Sequence, residues 1–124
     1  MIVIIDYGIG NLLSIKNMIK RIGFRDVIIS SKIEYIAKAT KIILPGVGAF
    51  DSGMKNLQEY GLIKVLKKKA IEEKIPFLGI CLGMQLMTKG SEEGKLPGLG
   101  WFDAKAVKFD FFPESTLKIP HMGW

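Results

Sequence analysis

Scarcity is the first information in this chain of 124 residues, which holds one cysteine and one histidine. A single cysteine excludes an intrachain disulfide framework and suits a reducing compartment. One Cys with one His cannot assemble a structural zinc site, so neither metal nor other cofactor is expected. No apolar run approaches the roughly 18 residues that a membrane-spanning helix needs. Ile2–Ile5 is too short for a signal-peptide core, and Asp6 follows at once. Acidic residues are also in deficit, 12 Asp and Glu against 18 Lys and Arg, for a formal charge of +6. That balance points to nucleic acid only where basic residues cluster with aromatics, and here they are scattered. The one tight run, Lys67-Lys68-Lys69, lies in a helical pattern that continues to Glu72-Glu73-Lys74. It reads as a solvated helix face. The expectation is a cytoplasmic protein with no nucleic-acid and no membrane partner.

What is present is core material: 48% of the residues are hydrophobic. Length fits one domain, residues 1–124, without repeats or low-complexity linkers. Short apolar runs at Ile2–Ile5, Val27–Ile29, Lys41–Leu44 and Phe77–Ile80 read as strands. Between them, Leu12, Ile15, Ile19 and Ile22 mark a helix ending at Gly23. Ile33–Ala39 is a short helix with Ser30 or Ser31 near its start. Another begins at Asp51 or Ser52, either of which can cap it, and a further one runs from about Leu62 to Glu73. This alternation predicts an α/β fold, a doubly wound and mostly parallel sheet with helices on both faces. Ligands of such sheets lie beyond the strands' carboxyl ends, at Asp6–Asn11, Pro45–Phe50 and Cys81–Gly83. After Thr88 the pattern changes to a polar, glycine-rich loop, and Gly100–Phe109 alternates as a strand does. Lys118-Ile-Pro-His121-Met-Gly-Trp124 offers no helix, strand or polar tail, so a longer domain is expected.

Cys81 falls where the fourth strand gives way to a helical pattern, between Gly79 and Gly83. G-x-C-x-G is the thiol counterpart of the nucleophile elbow, which presents a reactive side chain at the sheet's carboxyl edge. Both glycines are needed where strand and helix cross too closely for a Cβ. The start of a helix favours the thiolate. A buried core cysteine is the ordinary reading of a lone thiol, and the flanking glycines weigh against it. The Leu82 N–H is placed to donate to an oxyanion, with a second donor expected from Pro45–Phe50. Gly8-Ile9-Gly10 opens like a dinucleotide fingerprint, but the third glycine would fall at Leu13, and the match is weak. His121 has no adjacent carboxylate to orient it and is disfavoured as the base.

Ile4-Ile-Asp-Tyr-Gly-x-Gly-Asn11, Leu44-Pro-Gly-Val-Gly48 and Gly79-Ile-Cys-Leu-Gly-Met-Gln85 together resemble the glutaminase subunits of imidazole glycerol phosphate synthases. These are class I glutamine amidotransferases with a flavodoxin-like three-layer fold. Ser91-Glu-Glu-Gly94, Gly98-Leu-Gly100 and Pro120-His-Met-Gly-Trp124 extend the resemblance over the chain. It implies that Cys81 attacks the carboxamide of glutamine, giving a glutamyl thioester and ammonia. It further implies oxyanion donors at Val47 and Leu82, and a glutamine site at Gly48, Gln85 and Glu93. The implied partner is a cyclase subunit with a (β/α)8 barrel, forming a heterodimer near Tyr7, Asn11, His121 and Trp124. The family's His-Pro-Glu segment has no counterpart, so the chain corresponds to roughly the first two-thirds of such a domain. An incomplete sheet and little or no turnover are therefore expected of the isolated chain. The same chemistry serving surface-sugar amidation, a non-catalytic partner-binding module and another cysteine-elbow hydrolase are the alternatives.

Overall fold

Four strands of isoleucine, valine and leucine nucleate the architecture. They are β1 (Ile2–Ile5), β2 (Val27–Ser30), β3 (Lys41–Leu44) and β4 (Phe77–Gly79). The computed structural model describes residues 1–119. All strand pairs are parallel, in the order β2-β1-β3-β4. Register runs Val3 with Ile28 and Ile42, then Ile43 with Leu78. Connections leave β1 and β3 towards opposite edges of the sheet. The seam between those two strands is therefore the topological switch point at which such folds place a ligand.

Alternation sorts the strand side chains onto two faces. Val3, Ile5, Ile42 and Leu44 belong to the larger core, with α2 (Ile33–Ala37), α3 (Phe50–Glu59), α4 (Ile63–Lys67) and α5 (Leu82–Leu86). Phe50, Leu57, Leu62, Leu66, Leu82 and Leu86 fill it, each fully buried. Burial of such a side chain contributes about 1.5–3 kcal/mol. Ile4 faces the other way, into a smaller cluster with Ile19 and partly buried Leu12 and Ile15 of α1 (Leu12–Arg21). The doubly wound, parallel α/β expectation is met.

Local differences have identifiable causes. The carboxylate of Asp51 does not cap α3. Ala49 is the N-cap residue, and Asp51 lies in the first turn with its oxygens directed elsewhere. Lys32, not a serine, precedes α2, and the Ser30 hydroxyl instead accepts from the Lys32 N–H. Asn11 caps α1 by accepting from Ser14 N–H at 3.3 Å. The helix after Leu62 is α4 followed by a wider π-type turn, Lys68–Glu72. There the expectation of a solvated lysine face fails at one residue. Lys69 is only 4% exposed, and its ammonium donates to the Ala37 carbonyl at 3.0 Å and pairs with Glu73. Those two acceptors replace the water that burial removes. Gly100–Phe109 forms no strand. Its one ladder-like contact is a bridge between Ser91 and Ala106. The start of the segment and the residue before it instead satisfy the end of α5, with Leu99 N–H donating to Leu86 O and Trp101 N–H to Met87 O, both at 2.8 Å.

Candidate active site

Cys81 adopts φ 53° and ψ −118°, a conformation that side chains other than glycine rarely tolerate. Its side chain is exposed while its neighbours Leu82 and Gly83 are buried. The two glycines enforce the turn. A Cβ on Gly83 would run into the Leu44 carbonyl oxygen, and one on Gly79 would meet Met84 Cα at 2.6 Å. β3, β4 and α5 thus cross without room for a methyl group, and the tight turn is left to Cys81 alone. This is the nucleophile-elbow geometry.

The loop after β3 closes over the elbow from the switch point. Tyr7, just beyond β1, is wholly buried and donates its hydroxyl to the Pro45 carbonyl at 2.6 Å. Burial holds that phenol protonated far above its ordinary range, and the nearby Cys81 adds in the same direction. Tyr7 therefore supports the loop from beneath. Its side chain, expected near a partner, is fully buried and leaves no surface of its own exposed. Gly46 is obligatory for the same contact, since a Cβ there would strike the Tyr7 hydroxyl.

The oxyanion donors are arranged differently from the sequence expectation. Leu82 N–H already donates to the Gly46 carbonyl, at 3.3 Å. In a trans peptide the N–H points opposite to the C=O, so the Val47 N–H is directed away from Leu82. Val47, Gly48 and Ala49 are solvent-exposed, and Gly48 has φ +97°.

One helical turn after Cys81, half-buried Gln85 reaches a cleft of about 560 Å³. Ser91, Glu92, Glu93, Ala106, Val107 and Lys108 complete its lining. Gln85 and Glu93, predicted together, do meet here, whereas Gly48 lies in the loop over the elbow. Exposed Asn11 caps α1, and His121 and Trp124 lie outside the described residues.

Sequence reasoning missed Asp51. Its carboxylate accepts the backbone N–H groups of Lys95, at 2.9 and 3.0 Å, and of Leu96, at 2.9 Å. Those bonds, Leu96 foremost, hold it below the usual carboxylate range. Asp51 so ties the first turn of α3 to the loop that carries Glu93. The sequence showed only an acid at a helix start, which reads as a cap; its partners lie 44 and 45 residues away.

Sheet, switch point and elbow define the class: an α/β scaffold that presents an exposed thiol at a strand-to-helix turn. Residues 3–124 match the family model for glutamine amidotransferase class-I, and the chain belongs to that family. It is 64% identical, over 124 residues, to imidazole glycerol phosphate synthase subunit HisH 2 of Methanococcus maripaludis. Identity is 48% to subunit HisH 2 of Pseudomonas aeruginosa and 46% to subunit HisH of Leptospira interrogans. The whole chain is covered in each case, but it spans only about 60% of the first two relatives and 61% of the third. A solved glutamine amidotransferase superposes with a TM-score of 0.69 at 25% identity, covering 85% of this chain and 55% of that one. No helix among the described residues is long and apolar enough to cross a membrane.

Proposed function

We propose that Cys81 is the nucleophile of a glutaminase serving an imidazole glycerol phosphate synthase. Its sulfur attacks the carboxamide carbon of glutamine, and the C–N bond breaks as nitrogen takes a proton and leaves as ammonia. Water then cleaves the glutamyl thioester to glutamate and restores the thiol. The observation that carries this reading is the exposed thiol at positive φ, locked between two glycines that cannot become alanine. Gln85, with both donor and acceptor atoms, and Glu93, an anion, suit the charged α-amino and α-carboxylate end of glutamine. Gly48 contributes backbone from the facing loop. The proton for the departing ammonia comes from a base outside the described residues.

Transition-state stabilisation requires the Leu82 N–H to leave the Gly46 carbonyl. Rotation of the Gly46–Val47 peptide frees that donor and turns the Val47 N–H inward as the second. Gly46, which flanks this peptide, has no Cβ to oppose the rotation. The ammonia is passed to a cyclase subunit with a (β/α)8 barrel, for histidine biosynthesis in the cytoplasm. The relatives' names support this partner over a surface-sugar synthase. The experiment is labelling with 6-diazo-5-oxonorleucine, a glutamine-shaped electrophile. One adduct on Cys81, slowed by excess glutamine, is expected. An unlabelled Cys81, or labelling indifferent to glutamine, overturns the reading.

A further inference from the structure

Asp51, Glu92 and Glu93 bring their carboxylates to one loop, and the first two are committed to backbone N–H groups. Glu92 accepts from the Lys108 N–H at 2.9 Å, and Asp51 accepts from Lys95 and Leu96. Among the described residues the Glu93 carboxylate has neither a hydrogen-bond nor an ion-pair partner. It lines the cleft beside Gln85, whereas Asp51 stands outside that lining. On one side of Glu93 the backbone is pinned by Ser91, which is buried and whose Oγ accepts the Glu93 N–H at 3.2 Å. On the other side Gly94 lies flush against the start of α3. A Cβ on Gly94 would strike Asp51 Oδ1 and come within 3.0 Å of the Phe50 ring. Glu93 is thus held between a buried serine and the Asp51 clamp.

We propose that Asp51 is a positioning residue for recognition of the ligand's cationic group. By gripping the Lys95 and Leu96 amides, with Gly94 closed against it, Asp51 fixes where the Glu93 carboxylate stands. The inference rests on the glutaminase reading, in which that cation is the α-ammonium of glutamine. A loop anchored in advance does not have to be ordered when the ligand arrives, so the anchor strengthens binding. Bond breaking at Cys81 is left untouched, because Asp51 reaches the ligand only through Glu93. Asparagine at 51 keeps the shape but replaces one acceptor oxygen with an N–H donor, which cannot accept a backbone N–H.

The test is the concentration dependence of Cys81 labelling by 6-diazo-5-oxonorleucine, read as a half-saturating concentration and a limiting rate. Asp51→Asn is expected to raise the half-saturating concentration roughly fivefold and to leave the limiting rate unchanged. Gly94→Ala, whose methyl group displaces the same carboxylate, is expected to do likewise. Added to Glu93→Ala, Asp51→Asn is expected to cost nothing more, since the residue through which it acts is gone. Labelling by 6-diazo-5-oxohexanoate, which lacks the α-amino group, is expected to be indifferent to Asp51→Asn. An unchanged half-saturating concentration in both single variants overturns the proposal. So does a loss that persists in full without Glu93, or one shared by the probe without the amino group, since either assigns Asp51 a merely structural role. Native labelling that glutamine does not slow sinks the glutaminase reading, and this inference with it; glutamine-sensitive labelling that ignores Asp51→Asn and Gly94→Ala sinks the inference alone.

Discussion

The elbow and the segment from Thr88 to Ile119 are held in place by opposite physical means. At the elbow, steric exclusion dictates residue identity: Gly79 and Gly83 sit where a Cβ collides with backbone. The later segment has no regular element. Backbone hydrogen bonds to the end of α5 and the Asp51 carboxylate hold it. Large side chains such as Phe102, Val107, Phe109 and Phe112 stay exposed. The contrast separates two requirements. The thiol is held in one strained geometry, while the cleft around Gln85 and Glu93 is held by backbone hydrogen bonds and the Asp51 carboxylate.

The largest break in this comparison comes from Gly83→Ala. Its methyl group would overlap the Leu44 carbonyl, so β3 and α5 must separate, at a cost of about 3 kcal/mol or more. Urea unfolding measures it. An effect below about 1 kcal/mol shows that the elbow is not sterically locked. Next comes Cys81→Gly against Cys81→Ala. Glycine releases the positive-φ strain that alanine keeps, so the glycine variant is expected to be the more stable by about 1 kcal/mol or more. Equal midpoints in the same titration contradict stored strain.

Asp51→Asn has the smallest effect on global stability and a local one on the loop. Because folding lowers the Asp51 pKa, its contribution is fully present above the unfolded value and is lost as pH falls through the folded one. Exchange protection of the Lys95 and Leu96 amides is therefore expected to be flat near neutrality. It should fall in acid below about pH 4. In Asp51→Asn the protection is weaker throughout and loses this acid limb. An unchanged acid limb in the variant would assign it to another carboxylate.

The same contrast decides what the sequence disclosed. Strand runs, the α1 face and G-x-C-x-G are local patterns of burial and backbone geometry, and each is found where it was read, except that Ile22, read as the last residue of the α1 face, caps the helix and is exposed. Asp51 and Lys69 were misread because their partners are distant in sequence: Lys95 and Leu96 for one, Ala37 for the other. Tyr7 lies in a polar, glycine-rich turn, and nothing local reveals that β1 and β3 become neighbours and bury it. The Leu82-to-Gly46 hydrogen bond is likewise invisible, since one peptide orientation leaves no mark on residue type. The alternation in Gly100–Phe109 resembles a strand, but its backbone groups are divided between the end of α5 and residues 89–92, so no ladder forms.

The central claim is that the tethered cleft directs glutamine to the strained thiol. Its most direct test is the ratio of Cys81 alkylation rates by 6-diazo-5-oxonorleucine and by iodoacetamide, compared between the native chain and Glu93→Ala and Gln85→Ala. The ratio is expected to fall roughly tenfold in each variant, with the iodoacetamide rate unchanged, as befits loss of a charged contact to substrate. A ratio that stays constant across all three proteins would contradict the account.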